Sequence, residues 1–128
     1  MAEKTAVKKT EDKQIKPIIL KDESNGDVFV LEFNRDTVKL AEARGFKIGA
    51  FDEGQVITVT EELFYYSFRM HQPKMSKADT DKILYEKLRG LPNGMFDRLV
   101  DLYILPMEAL KQQNSEDETK NPKMTVEF

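Results

Sequence analysis

The residues that could do chemistry are few and scattered in this 128-residue chain. The single histidine, His71, stands at the end of a predicted helix, and the chain has no cysteine. With one imidazole and no thiolate, neither a histidine metal cluster nor the usual hydrolase machinery is predicted. Basic side chains are favourable at helix C-termini because they oppose the helix dipole. We therefore interpret His71 as a structural or solvated residue at a helix end.

The acidic residues do not form a ligand set either. Asp79 and Asp81 are two positions apart on a predicted helix, so their side chains point to different faces. Together with Glu86 they are typical of a solvated surface and a helix cap. The stretch ESNGD, residues 23–27, lacks the alternating ligands and the closing glutamate of a calcium loop. The glycines are too scattered for a phosphate-binding loop. We expect no catalytic residue, no metal site and no cofactor.

Composition favours one globular domain. Charged residues make up 34% of the chain and hydrophobic ones 40%, and the formal net charge is −3. An acidic chain is a poor general ligand for the nucleic-acid backbone. No apolar run approaches the roughly 18 residues that a membrane-spanning helix needs. Residues 1–14 are polar and lysine-rich, which predicts a disordered arm without the hydrophobic segment of a secretory signal. The absence of cysteine permits a reducing cytoplasm without requiring it.

The elements that would position any functional residue begin with a hairpin. Residues 15–20 and 27–33 are apolar and β-branched, which favours two strands. Asn25-Gly26 between them predicts a hairpin turn, because both residues tolerate positive φ. Pro17 has no N–H, so the first strand is an edge strand there or begins after it.

Four helices are predicted after the hairpin. Asn34 is a candidate N-cap for RDTVKLAEAR, and Gly45 suits the position just past the end of that helix. Thr58-x-x-Glu61 has the pattern of a capping box and would open the most apolar helix of the chain.

The third and fourth helices lie in the C-terminal half. Ser76-x-x-Asp79 predicts a helix start, and that helix should run to about Arg89. Pro106 lies inside the last helix and should kink or split it. One apolar stripe runs along this helix, formed by Phe96, Leu99, Tyr103, Met107 and Leu110.

The C-terminal segment alternates polar and apolar residues. In residues 123–128 every second residue is apolar: Met124, Val126 and Phe128. A period of two residues is typical of a half-buried strand. Residues 112–122 before it predict a flexible polar linker. The strand either completes the sheet of its own hairpin or adds to an edge on another subunit or a partner. The order ββ-α-α-α-α-β thus predicts an α+β domain over residues 15–111, whose small sheet combines the N-terminal hairpin with the C-terminal strand.

One helix carries more apolar surface than a core demands. The apolar residues of ELFYYSFRM occupy most of the helix circumference, whereas a surface helix needs only a stripe. This helix is either buried all round or binds a partner with one face. The last helix likewise carries apolar residues outside its main stripe. The predicted partner-binding residues are Phe64, Tyr65, Phe68, Leu102, Leu105, Met124, Val126 and Phe128.

Several stretches together resemble a known family of small phage proteins. They are VFVLEFNRDTVKLAEARGF, ELFYYSFRMH, SKADTDKI, GLPNGMFDRLVDLY and KNPKMTVEF. In this pattern the chain is similar to phage tail assembly chaperones encoded by siphophages and prophages of Gram-positive bacteria. The stretch LEFNRDTVKLAEARGF and the terminal MTVEF carry most of the likeness.

The resemblance implies a non-enzymatic assembly factor. Such a chaperone acts in the cytoplasm of the host bacterium, binds the tail tape measure protein, keeps its long hydrophobic helices soluble and helps to recruit tail tube protein. Self-association of the chain is a further expectation. The main alternative is a small structural tail or head-completion protein of the virion. A nucleic-acid-binding regulator and an enzyme are weaker alternatives, because basic helix faces and catalytic side chains are both missing from the pattern.

Overall fold

A β-hairpin opens the fold, and helices pack after it. The computed structural model describes residues 15–110 and 124–127. The hairpin consists of β1 (Ile18–Lys21) and β2 (Val28–Leu31), which pair antiparallel with Ile18 opposite Leu31 and Lys21 opposite Val28. Within residues 15–110 the helices are α1 (Arg35–Ala43), α2 (Val56–Phe68), α3 (Lys77–Lys82), which continues as a π-helix (Ile83–Leu88), and α4 (Met95–Glu108), with a short 3₁₀-helix at Ile48–Phe51. The α+β class is confirmed.

The hairpin turn lies where Asn25-Gly26 predicts it, with a longer loop than a two-residue turn. The N–H of Asp22 donates to the carbonyl of Asp27 at 2.8 Å, which closes a loop of four residues, 23–26. Gly26 alone carries a positive φ, of 82°, in this loop. The Asn25 side chain instead accepts the N–H of Asp27 at 2.9 Å, as in an Asx-turn. β1 begins directly after Pro17.

Helix α1 starts and stops at the predicted residues. The side-chain oxygen of Asn34 accepts the N–H of Thr37 at 2.9 Å, and the Thr37 hydroxyl accepts the N–H of Asn34 at 2.8 Å. This reciprocal pair satisfies two orphan donors at the helix start. Gly45 follows the helix with φ 92°, and its N–H donates to the carbonyl of Glu42 at 3.0 Å.

One of the two predicted capping boxes is right. At α3, Ser76 Oγ accepts the N–H of Asp79 at 3.1 Å, and Asp79 accepts the N–H of Ser76 at 3.0 Å. The box predicted at Thr58 is wrong, because α2 begins earlier, at Val56, and Thr58 is already inside its first turn. The N-cap of α2 is Gln55, whose side chain makes no capping hydrogen bond.

The two last helical segments end differently. The π-helix after α3 ends at Leu88 and is capped by Arg89, which adopts the left-handed conformation with φ 58°. The N–H of Gly90 donates to the carbonyl of Leu84 at 3.0 Å. Helix α4 runs through Pro106 to Glu108, so the proline does not split it. Proline removes only one hydrogen bond so close to the helix end.

The core surrounds α2. This helix contacts β2, α1, the 3₁₀-helix, α3 and α4. Aromatic rings from different elements meet edge-on: Phe33 and Tyr103 have centroids 5.2 Å apart, and Phe46 and Tyr103 5.3 Å apart. Burial raises the pKa of Tyr103 to about 12. The predicted stripe of α4 is buried at Leu99 and Tyr103 but ends in solvent at its C-terminal end.

The C-terminal segment departs from its predicted place in the sheet. Among the described residues the sheet has two strands, and Met124–Glu127 belong to neither. Their side chains are exposed, with 82% of Met124 and 73% of Val126 accessible. The prediction that this segment completes the sheet of its own chain is therefore wrong for Met124–Glu127. Phe128, the N-terminal arm 1–14 and the linker 112–122 lie outside the described residues.

Candidate partner-binding surface

Three of the predicted contact residues are part of the core. Phe64 and Phe68 on α2 have no accessible surface, and Tyr65 is 9% exposed. The Phe68 ring packs against Phe64 at 5.0 Å and against Phe29 of the hairpin at 5.6 Å. A partner could touch these rings only if the core opened, so partner contact through them gains no support from their burial and stays a prediction. The aromatic excess of α2 reflects burial on all sides, which was the other reading of the same pattern.

The outer rim of the α2 aromatic cluster is held by two arginines. The Arg69 guanidinium lies 5.9 Å from the centre of the Tyr65 ring, a cation–π distance. Hydrogen bonding to the hydroxyls of Tyr65 and Tyr66 raises the pKa of Arg44. Burial is the main reason that the pKa of Tyr66 is raised as well. One arginine thus lies over the Tyr65 ring, and the other lies beside the hydroxyls of Tyr65 and Tyr66.

The two predicted contact residues of α4 have different environments. Leu102 is 2% exposed and belongs to the core, so its burial gives no support to its predicted role in partner contact. Leu105 is half-buried at the edge of the core, and partner contact through it stays a prediction. Leu110, just past the helix, is 71% exposed.

A different set of apolar side chains faces solvent. These residues lie on the hairpin, at the start of α2, on the π-helix, past α4 and in the C-terminal segment. They are Ile19, Val28, Val56, Ile57, Tyr85, Leu110, Met124 and Val126. Of these residues, only Met124 and Val126 were predicted as partner contacts. The others were missed because an exposed apolar residue inside a helix or strand has the same sequence pattern as a buried one.

The outer edge of β2 is closed by a side chain. The amide of Gln72, after α2, accepts the N–H of Val30 at 2.8 Å and donates to the carbonyl of Val30 at 3.0 Å. Further along, the N–H of Glu32 donates to the carbonyl of Ser67 at 2.9 Å. Gln72 thus takes the place of a third strand at this edge. Sequence reasoning missed this role, since no local pattern links residues 42 positions apart.

The outer edge of β1 is free. The backbone groups of Val30 point away from β1, as their bonds to Gln72 show. In an antiparallel ladder the opposite residue, Ile19, must also point its N–H and C=O outward, and Lys21 follows with the same period. Within the described residues, no group hydrogen-bonds the backbone of Ile19 or Lys21 on that side. We call these four backbone groups the free edge.

A surface cavity of about 340 Å³ lies at the turn end of the hairpin. Its apolar wall is formed by Leu20 and Phe29 from the hairpin and by Ile83 and Leu88 from the π-helix. Lys87 also lines it and pairs with Asp22 at 2.5 Å. The cavity therefore offers an apolar floor with charged groups beside it, next to the end of the free edge.

The chain matches one family model over residues 1–128, a domain of unknown function (DUF5055). The chain belongs to this family. Comparison with curated proteins found no match, and comparison with solved structures found none either.

Several polar side chains of this DUF5055 chain link its helices to one another. Lys77 Nζ lies 3.1 Å from Glu61 and 3.0 Å from Asp81, and the Tyr85 hydroxyl donates to Glu61 at 2.5 Å. The bond from Tyr85 is the main reason that the pKa of Glu61 is lowered. Burial opposes the charge of Lys77, but its bonds to Asp81 and Glu61 outweigh burial and raise the Lys77 pKa. The cluster joins α2 to α3 and the π-helix.

The remaining groups of the DUF5055 chain that sequence analysis singled out lie apart from one another. His71 Nε2 lies 2.8 Å from a Glu32 carboxylate oxygen, and both side chains are partly exposed. Asp79 serves the α3 cap, whose hydrogen bonds from Ser76 lower the Asp79 pKa. In residues 15–110 and 124–127, no three His, Cys, Asp or Glu residues are grouped as a metal site would require. None of the helices in that part of the chain has the length and apolar character to cross a membrane.

Proposed function

We propose that this protein is a non-enzymatic, phage tail assembly chaperone-like protein that binds tail tape measure and tail tube proteins in the cytoplasm of the host bacterium. Two lines support the proposal. The first is the resemblance carried by LEFNRDTVKLAEARGF, ELFYYSFRMH and MTVEF. The second, which carries most of the structural argument, is the exposure of apolar side chains outside a closed core.

A partner of this kind would present long amphipathic helices. Such helices bind by placing apolar side chains against an apolar surface. Since the α2 aromatics are buried, the contact has to use residues already in solvent. Ile57, 68% exposed in the first turn of α2, and Leu110, 71% exposed after α4, meet this condition. Half-buried Leu105 is a third contact in the proposal.

The charge pattern argues for a protein partner over nucleic acid. The formal net charge is −3. Lys77, Lys82 and Lys87 on the α3 segment alternate with acidic residues, and both Lys77 and Lys87 are already in ion pairs. Nucleic-acid binding generally needs a clustered basic face that is free to contact phosphates.

The proposal is tested by affinity purification from cells in which the phage is induced, with partners identified by mass spectrometry. The tag is placed at the N-terminus, because Met124–Glu127 at the other end are part of the candidate surface. We expect a long helical tape-measure-like protein or a tail tube subunit to co-purify.

A matched pair of variants makes the test specific to the surface. Ile57→Glu and Thr58→Glu place the same charge at neighbouring exposed positions in the first turn of α2. Glutamate near a helix start is tolerated or favourable, so both variants should fold. We expect Ile57→Glu to lower partner recovery several-fold and Thr58→Glu to leave it near that of the unmodified chain.

Two outcomes would contradict the proposal. Recovery of no tail protein, combined with detection of the chain in purified virions, would favour the alternative of a structural tail or head-completion protein. Equal recovery by the two variants would exclude Ile57 from the contact surface.

A further inference from the structure

We propose that Met124–Glu127 of one copy add as a third strand to the free edge of β1 in a second copy of this chain. The inference concerns only the chain and copies of itself, so it stands independently of the proposed function. It rests on a strand-like segment and a strand edge in the same molecule, neither of which is paired among the residues that the structure describes.

The donor segment has the character of a strand without a sheet. Met124 and Val126 alternate with Thr125 and Glu127, so one face of the extended segment is apolar and the other polar. All four residues are exposed, and they lie in no strand of their own chain. Burial of such exposed apolar side chains against another surface lowers the free energy.

The acceptor edge is the longer open edge of the described hairpin. On β2, Gln72 occupies the outward backbone groups of Val30, and Ser67 accepts the N–H of Glu32 directly after the strand, which leaves only Val28 at the turn end. On β1, the N–H and C=O groups of both Ile19 and Lys21 point outward without a partner among the described residues. Pro17 precedes this edge and has no N–H, so the ladder is limited to β1 itself. An added strand is the usual way to satisfy such a row of groups.

The faces of donor and acceptor match in one orientation. Ile18 and Leu20 face the core side of β1, while Ile19 and Lys21 face solvent. With Met124 and Val126 on the core side, the apolar donor face lies beside Leu20, where an apolar side chain reaches the 340 Å³ cavity. Thr125 and Glu127 then lie on the solvent side, where Glu127 meets Lys21 with opposite charge.

A second copy is the occupant because the described part of one chain leaves both halves unsatisfied. Within residues 15–110 and 124–127, Met124–Glu127 lie in solvent and the β1 edge is open at the same time. Thirteen residues, 111–123, separate this segment from the end of the helical domain. A stretch of that length spans up to roughly 45 Å, which is enough to reach a neighbouring copy. Each copy contributes one donor and one acceptor, so exchange yields either a closed dimer or a continuing array.

The test uses engineered cysteines, because the chain has none of its own. Two differently tagged chains, one with Ile19→Cys and one with Thr125→Cys, are mixed and mildly oxidised. A second mixture, in which Lys21→Cys replaces Ile19→Cys beside Thr125→Cys, tests the neighbouring register. Directly opposed residues of paired strands lie about 5 Å apart between Cα atoms, within disulfide range. We expect a mixed dimer on a non-reducing gel.

The matched control places the cysteine on the other hairpin strand. Val28 is 53% exposed and Ile19 is 50% exposed, and both lie on the solvent face of the hairpin. An added strand would lie about 10 Å from Val28, beyond the roughly 7 Å limit for a disulfide. Val28→Cys mixed with Thr125→Cys should therefore cross-link several-fold less.

Light scattering on the full-length chain supplies an independent arm. We expect concentration-dependent association that Val126→Glu abolishes and that Thr125→Glu, with the same charge on the opposite face, retains. Cross-linking within one chain when Ile19→Cys and Thr125→Cys are combined, equal cross-linking of Val28→Cys, or a monomer at every concentration would each overturn the inference.

Discussion

The side-chain amide of Gln72 hydrogen-bonds both the N–H and the carbonyl of Val30, at 2.8 and 3.0 Å. Through this pair of contacts, a residue beyond the end of α2 closes one edge of the hairpin and docks the sheet on the helices. Among the described residues the β2 edge is thus closed at Val30, whereas the β1 edge has no partner at Ile19 or Lys21, and this asymmetry directs the proposed addition of a strand to β1 rather than to β2.

Gln72→Ala should destabilise the fold by about 1–3 kcal/mol, because it leaves the partly buried N–H and carbonyl of Val30 without partners. The free energy of unfolding from urea denaturation measures the effect. Gln55→Ala is the matched control, since the Gln55 side chain makes no capping hydrogen bond. If the two variants were equally stable, Gln72 would not be closing the edge.

Tyr65→Glu should lower the stability of the fold and not only its binding to a partner. The side chain is 9% exposed and packs against Tyr66, with ring centroids 4.9 Å apart, so a carboxylate there is poorly solvated. Phe68→Ala should cost about 3–5 kcal/mol, the usual range for a buried phenylalanine. Thermal unfolding followed by circular dichroism measures both. Native stability of Tyr65→Glu would restore Tyr65 as a surface residue.

The stability cost of removing a polar side chain near a helix start should depend on whether that side chain caps the helix. Asn34→Ala and Ser76→Ala each remove a side-chain acceptor from a helix start, which costs about 0.5–2 kcal/mol. Thr58→Ala should change stability by less than about 0.5 kcal/mol, because Thr58 lies inside the first turn of α2 and caps nothing. Denaturant midpoints of the three variants measure the difference. A large loss for Thr58→Ala would mean that α2 starts at Thr58 in solution.

Stability should fall in acid partly through Asp22. Its hydrogen bond from Lys87, with further bonds from Ser24, lowers the Asp22 pKa from 3.8 to about 2. Because the folded-state pKa is the lower one, this contribution is fully present above about pH 4 and is lost as the pH falls towards 2. Asp22→Asn should flatten the dependence of the unfolding free energy on pH in that window.

A second variant removes the partner instead of the carboxylate. Lys87→Gln should also flatten the pH slope between about 4 and 2, because the hydrogen bond from Lys87 is the main cause of the lowered Asp22 pKa. Added salt should weaken the Asp22 contribution, since 43% of the Lys87 side chain is exposed to solvent. An unchanged slope in Asp22→Asn would show that this ion pair does not form in solution.

Local signals in the sequence determined much of the secondary structure. The Asn25-Gly26 turn, the Asn34 cap, the Gly45 stop and the Ser76 box all depend on hydrogen bonds or φ preferences within a few residues. Such interactions are encoded where they occur, which is why short patterns predict them. The capping box predicted at Thr58 was wrong because α2 starts directly after the loop that follows the 3₁₀-helix. No side-chain cap marks its start at Val56.

The candidate surface was decided by tertiary packing. The periodicity of ELFYYSFRM could not distinguish a central helix from a binding helix, because both require apolar residues around the circumference. Only the number of elements packed around α2 shows that Phe64 and Phe68 are buried. The exposure of Ile57 and Leu110 likewise depends on which neighbours fail to cover them.

The sequence by itself thus determined the α+β order, the hairpin and the strand-like alternation of Met124–Glu127. The tertiary structure decided which strand edge stays open. That outcome depends on Gln72 reaching Val30 across 42 residues and on the antiparallel register that turns the backbone of Ile19 outward. Contacts between distant residues leave no local pattern, because their free energy arises only when the folded chain brings both groups together.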